Sequence, residues 1–221
     1  VYLGVGSNNL GDDVVSALPR FNITRLLGID LSNNGLTDVG GVALINRLLN
    51  SNFTSINVAA NFLTSVFGFY FADILPRLVS LLEINLSDNQ LGQGSVGDIA
   101  RALPHSSVQR LILDGNPMND DDGIAIDAAR QLRLALAQTQ VSQLSLTGSM
   151  LRNAAAFALC HALPQTAIAI SRLQLPAPLD PNAVDTQTCQ ISAANRVAPS
   201  ASLLLLFFGA VILWYVLQKL A

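Results

Sequence analysis

Apolar residues recur along this chain in a fixed local pattern, and the pattern is itself repeated. Ile29, Leu31 and Leu36 of IDLSNNGL are matched by Ile56, Val58 and Leu63, and again by Ile84, Leu86 and Leu91. Leu111, Leu113 and Met118 form the next copy, followed by Leu144, Leu146 and Leu151. An opening copy holds Leu3, Val5 and Leu10, and a worn last one begins at Leu173 and Leu175. The leading positions are separated by 26, 27, 28, 27, 33 and 29 residues. Self-similarity at such a period marks stacked units, none of which buries its own apolar face.

Each unit divides into elements by its spacing. Alternation, as in Ile84 and Leu86, predicts a short strand with one buried face. A polar residue then recurs where the strand ends: Asn8, Asn34, Asn61, Asn89 and Asn116. Its side chain can bond the backbone of a neighbouring unit that burial would otherwise leave unpaired. The sixth unit has Ser149 there, so the ladder is expected to loosen at that point. Two residues past the closing apolar position stand Asp12, Asp38, Ser65, Gln93, Asp120 and Asn153. All but Gln93 are types that cap a helix start. The four-residue spacing of Leu63, Phe67, Phe71 and Leu75 predicts a helix. Pro19, Pro76, Pro104 and Pro164 follow Leu18, Leu75, Leu103 and Leu163, where a helix should stop.

The motif L-x-x-L-x-L-x-x-N-x-L, spelled by Leu81, Ile84, Leu86, Asn89 and Leu91, resembles a leucine-rich repeat. The repeat length is similar to that of the ribonuclease-inhibitor-like subtype. The resemblance implies an α/β solenoid over residues 1–175, with a curved parallel sheet inside and helices outside. It also implies work by surface recognition. The residues facing outward on the concave sheet are then Asp30, Asn57, Asn85, Ile112 and Ser145, flanked by Gly28, Ser55, Glu83, Arg110 and Gln143. Interface hot spots favour Arg, which singles out Arg110, with Glu83 beside it, as candidate partner contacts. If Phe67 and Phe71 fill the core, Phe69 and Tyr70 point to the convex side. There they either contact protein or lipid or pack against adjacent helices.

The tail changes character. Residues 176–200 mix Pro176, Pro178, Pro181 and Pro199 with small polar residues and read as a cap remnant and linker. From Ala201 to Leu217 no charge occurs. An uncharged apolar helix of that length reaches the lower limit for crossing a bilayer, about 17 residues. Residues 201–219 are therefore expected to form one transmembrane helix, with Leu203, Phe207 and Phe208 in its apolar body. Trp214 and Tyr215 would lie at an interface. Small residues at Ser192–Asn195 before the hydrophobic tail also admit a lipid-anchor signal. The span is short and suits a thin membrane, favouring an organellar one such as the mitochondrial over the cell surface.

Composition narrows the chemistry. Hydrophobic residues make up 51% and charged residues 12% of the 221 positions, with a net charge of −3. Without a basic patch, nucleic acid is not an expected partner. The expected partners are the lipid bilayer and other proteins of a membrane assembly. His105 and His161 stand in no triad or ligand spacing, so no catalytic residue, metal or cofactor is assigned. Cys160 and Cys189 either form a disulfide joining the last unit to the linker or remain two thiols. The run Asn119–Gly123 lacks the alternating ligands of a calcium loop and reads as a helix start. Sequons at Asn22, Asn52 and Asn85 occur at about the frequency chance allows.

Overall fold

The predicted alternation of strand and helix is what a computed structural model of the chain displays. It describes residues 1–18, 26–49, 51–117, 122–136, 138–149 and the strand at 172–174. Seven strands alternate with five helices among these residues: β1 (Tyr2–Gly4), α1 (Asp13–Ala17), β2 (Gly28–Asp30), α2 (Asp38–Leu48), β3 (Ser55–Asn57), α3 (Ser65–Ile74) and β4 (Glu83–Asn85), then α4 (Gln93–Ala102), β5 (Arg110–Ile112), α5 (Asp122–Leu136), β6 (Gln143–Ser145) and β7 (Arg172–Gln174).

All seven strands form one parallel sheet in strict chain order. The register places Leu3, Ile29, Ile56, Ile84, Leu111, Leu144 and Leu173 in a single row. Parallel strands need a crossover connection, and a helix supplies it in each of the first five units. The repeat-leading residues of the sequence are thus one continuous line of core. Ile29, Ile56, Ile84, Leu111 and Leu144 are buried, as are Leu31, Val58, Leu86, Leu113 and Leu146 one pleat further on. Phe67 and Phe71 of α3, with Leu63 before it and Leu75 after it, fill the same core, the two phenylalanine rings stacked at 5.8 Å. Each such side chain contributes about 1.5–3 kcal/mol by leaving water. Neighbouring helices approach closely because small residues line their contact. A Cβ at Gly41 would meet Leu63 and Phe67 at 2.7 Å.

The asparagines do what their position predicts. Asn61 Oδ1 accepts from the backbone N–H groups of Asn34 and Leu36, while its Nδ2 donates to Leu31 O. Asn89 accepts from Leu63 N and donates to Val58 O, and Asn116 bridges Leu91 N and Leu86 O in the same way. The rungs from Asn34 to Asn116 therefore each join their own unit to the preceding one through a buried side chain. The residue before each rung adopts positive φ: Ser7, Asn33, Ala60, Asp88, Gly115 and Gly148, between 50° and 66°. Asn, Asp and Gly tolerate that geometry, whereas Ala60 bears the full left-handed cost.

Asp12 holds the expected cap place of α1, without a side-chain bond to it, whereas α2, α3 and α4 start one residue before the expected cap. Thr37 and Thr64 are the N-caps of α2 and α3, their hydroxyls accepting from Val39 N and Val66 N. The acids one place on serve a different purpose. Asp38 Oδ1 and Oδ2 take Thr64 N and Thr64 Oγ of the next unit at 2.7 and 2.6 Å, and Asp12 takes Thr37 in the same way. Ser65 Oγ accepts from Gly92 N, and Gly92 caps α4 without a side chain. The spacing rule found the right neighbourhood but missed that these groups reach between units.

Pro76 and Pro104 lie in 3-10 turns, Leu75–Arg77 and Leu103–His105, that end α3 and α4. His105 is exposed there. Among the described residues no helix is long and apolar enough to cross a membrane. The expected linker at 176–200 and span at 201–219, with Leu203, Phe207, Phe208, Trp214 and Tyr215, lie outside the described residues, as do Cys160, Cys189, Asn22 and Asn119–Asp121.

Candidate functional site

One face of the sheet packs on the core, so the alternate residues of every strand are carried on the other. Parallel register lines them up in two rows. One runs Gly28, Ser55, Glu83, Arg110, Gln143, and the other Asp30, Asn57, Asn85, Ile112, Ser145. The outward set expected from the sequence is therefore brought together on a single surface.

The second row is largely occupied with its own backbone. Asp30, Asn57 and Asn85 each accept, through Oδ1, the N–H two residues on, from Ser32, Ala59 and Ser87. Ile112 has no such group. Its unit instead places Asp114 two residues on, and this carboxylate accepts from Ser145 Oγ at 2.6 Å and Thr147 N at 2.7 Å of the following unit. A surface position is left apolar, and the acid after the strand serves the following unit instead.

The first row carries the charge. Glu83 and Arg110 are partners in register on β4 and β5, and both are exposed. The ion pair found among the described residues is Arg101 with Asp98 on α4, not these two. Two shallow depressions flank Arg110. One of about 170 Å³ is lined by Asn57, Glu83, Asn85, Arg110 and Ile112, among others. The other, of about 240 Å³, is lined by Arg110, Ile112, Asp114, Gln143 and Ser145, among others. Arg110 and Ile112 belong to both. The guanidinium offers planar donors suited to a carboxylate, Ile112 an apolar floor, and Glu83 an acceptor for a cation. These are groups for recognition.

Phe69 and Tyr70 fall on α3, away from this surface. Phe69 is 47% exposed and its ring lies beside Gly94 of α4, where a Cβ would stand 3.5 Å from Cζ. Tyr70 is partly buried against the core, and its hydroxyl donates to Asn46 Oδ1 of α2. The two aromatics thus touch opposite neighbouring helices. Sequence reasoning singled out Arg110 and Glu83 but gave no role to Asp114. The available signal was an acid before Gly115, where other units have Ser32, Ala59 or Ser87.

No family model matches the chain, and no curated protein sequence matches it. Solved structures do. Among them is actin-binding site 2 of leiomodin-1, with a TM-score of 0.57 at 14% identity, covering 70% of this chain and 88% of that one. At that identity the likeness is one of fold.

Proposed function

We propose that this protein is a leucine-rich-repeat solenoid of the ribonuclease-inhibitor-like kind, working without catalysis as a protein-recognition or scaffold subunit of a membrane complex. Residues 201–219 are its anchor in the bilayer. The in-register rows and the asparagine rungs support the repeat assignment. The uncharged tail with Trp214 and Tyr215 near its end supports the anchor. The observation that carries the binding reading is the pair Glu83 and Arg110, adjacent, exposed and not bonded to each other, around the apolar Ile112. A surface built only for solubility gains nothing from an isoleucine held between two depressions.

The reading is tested in native membranes with a photoreactive phenylalanine at Ile112 and a control at Val79, which is 72% exposed. Position 112 should cross-link a discrete protein. Arg110→Glu should reduce that adduct about tenfold, as expected when one charge of a hot spot is reversed. Deleting 201–219 should release the chain into the alkaline-carbonate supernatant. Equal labelling at both positions, insensitive to Arg110, defeats the binding reading, and a truncated chain that stays with the membrane defeats the anchor.

A further inference from the structure

We infer that the start of α3, with the turn before it and the start of α2, is seated in the surface of a bilayer of zwitterionic lipid. The inference rests on the membrane anchor proposed above and adds which part of the repeat domain meets the lipid.

Four large apolar side chains of the second and third units form an exposed strip. Val39 is 74%, Phe62 58%, Val66 65% and Phe69 47% exposed. Val39 and Val66 each stand two residues past a cap, Thr37 of α2 and Thr64 of α3. Phe69 lies one turn on from Val66, on the same side of α3, and Phe62 lies four residues before Val66 in the turn. The two rings carry the strip across units. Phe62 Cε2 stands 3.9 Å from the place a Cβ of Gly35 would take, and Phe69 Cζ stands 3.5 Å from that of Gly94. Exposed apolar residues scattered singly are ordinary, whereas an unbroken strip marks a contact.

The polar groups beside the strip select the partner. At the start of α3, Thr64 N, Thr64 Oγ and Phe67 N donate to Asp38, Val66 N donates to Thr64 Oγ, and Gly68 N to Thr64 O. At the start of α2, Thr37 N and Oγ donate to Asp12, Val39 N to Thr37 Oγ and Gly41 N to Thr37 O. Tyr70 donates its hydroxyl to Asn46. A protein interface carries about one hydrogen bond per 100–200 Å², and these donors are already taken by their own chain. Hydrocarbon makes the opposite demand, that polar groups facing it be satisfied internally.

Charge selects the lipid. Among the described residues of these two units the arginines, Arg47 and Arg77, stand at the far ends of the helices. In the first unit the exposed Asp13 holds the place of Val39. Anionic headgroups would thus meet a carboxylate beside the strip and no cation of these units, which leaves neutral, zwitterionic lipid. Four side chains hold lipid weakly by themselves. A domain tethered to the same bilayer meets it at high effective concentration, and residues 175–200 would reach up to about 85 Å if extended.

The test uses the full chain reconstituted in phosphatidylcholine vesicles. A dansyl-bearing amino acid replaces Phe62 or Val66, and Val79, 72% exposed, is the control. Acyl chains bearing a nitroxide near the headgroup should quench positions 62 and 66 about threefold or more beyond position 79, as for an apolar face seated in the interface. Val66→Gln with Phe69→Gln should remove most of the quenching at 62 while the far-ultraviolet dichroism stays unchanged. Quenching at 62 and 66 no greater than at 79 overturns the inference. A blue-shifted emission that the nitroxide leaves unquenched also overturns it, since that reports contact with protein or with a second copy. Quenching that requires phosphatidylglycerol in the vesicles does the same. Alkaline-carbonate extraction reads the anchor separately: a chain that stays in the pellet without quenching at 62 and 66 keeps the anchor and loses this inference.

Discussion

The third and fourth units and the sixth unit are built on the same strand yet are held in place differently. Between units three and four, Asn89 joins four backbone groups through one buried side chain: Leu63 N, Val58 O, Leu86 O and Ser87 O. In the sixth unit Ser149 occupies that place, and its hydroxyl reaches only Leu146 O, inside its own unit. A hydroxyl is too short to span two turns of chain. The sheet nonetheless continues from β5 to β6 in register. Part of the missing connection is made from the opposite face, where Asp114 accepts Ser145 Oγ and Thr147 N. Main-chain pairing can therefore continue a sheet past a lost rung, with Asp114 tying the two units together through other groups.

The comparison can be broken most sharply at Asn89. Asn89→Ala leaves buried groups of two units unpaired, and chemical denaturation should show a loss of about 3 kcal/mol, at the upper end for an unsatisfied buried site. A loss no larger than that of an exposed substitution would deny the rung its role. Asp114→Ala comes next, at about 2 kcal/mol for charge-assisted bonds to two donors, with faster amide exchange at Thr147 than at Ser87. An equal change at both amides would show that Asp114 does not act locally on β6. The smallest effect is a gain. Ser149→Asn restores the reach to Asn116 N and Leu113 O and should raise stability by about 1 kcal/mol. No gain in the melting midpoint would mean that the sixth unit has no space for the longer side chain.

Much of this is legible in the sequence. The recurrence of Ile29, Ile56 and Ile84 gave the strand row directly, because a period-two pattern repeated at a near-constant interval has few packings that bury it. Asn61 and Asn89 were identifiable as rungs because buried backbone must be paired and only they recurred at that place. The helix starts were less legible. Thr37 and Asp38 are both good capping residues side by side, and which one caps depends on the neighbouring unit that claims the other. Asp114 was hidden for the same reason. Its partners lie 31 and 33 residues away, across a connection longer than the other units have. Local patterns identify which groups need partners, but stacking decides who supplies them. Of the candidate site, Glu83 and Arg110 were visible as residue types, whereas their lack of mutual pairing was not.

The carboxylates of Asp12 and Asp38 bear on how such a protein is made. A ribosome delivers the chain from its amino end, so each acid is already held on a finished turn when the following threonine emerges. Thr37 and then Thr64 meet an acceptor waiting for them, while the asparagine behind the new strand closes back onto carbonyls laid down earlier. Growth in that direction adds one layer at a time, and each new asparagine also takes up the N–H groups that the layer before it left open.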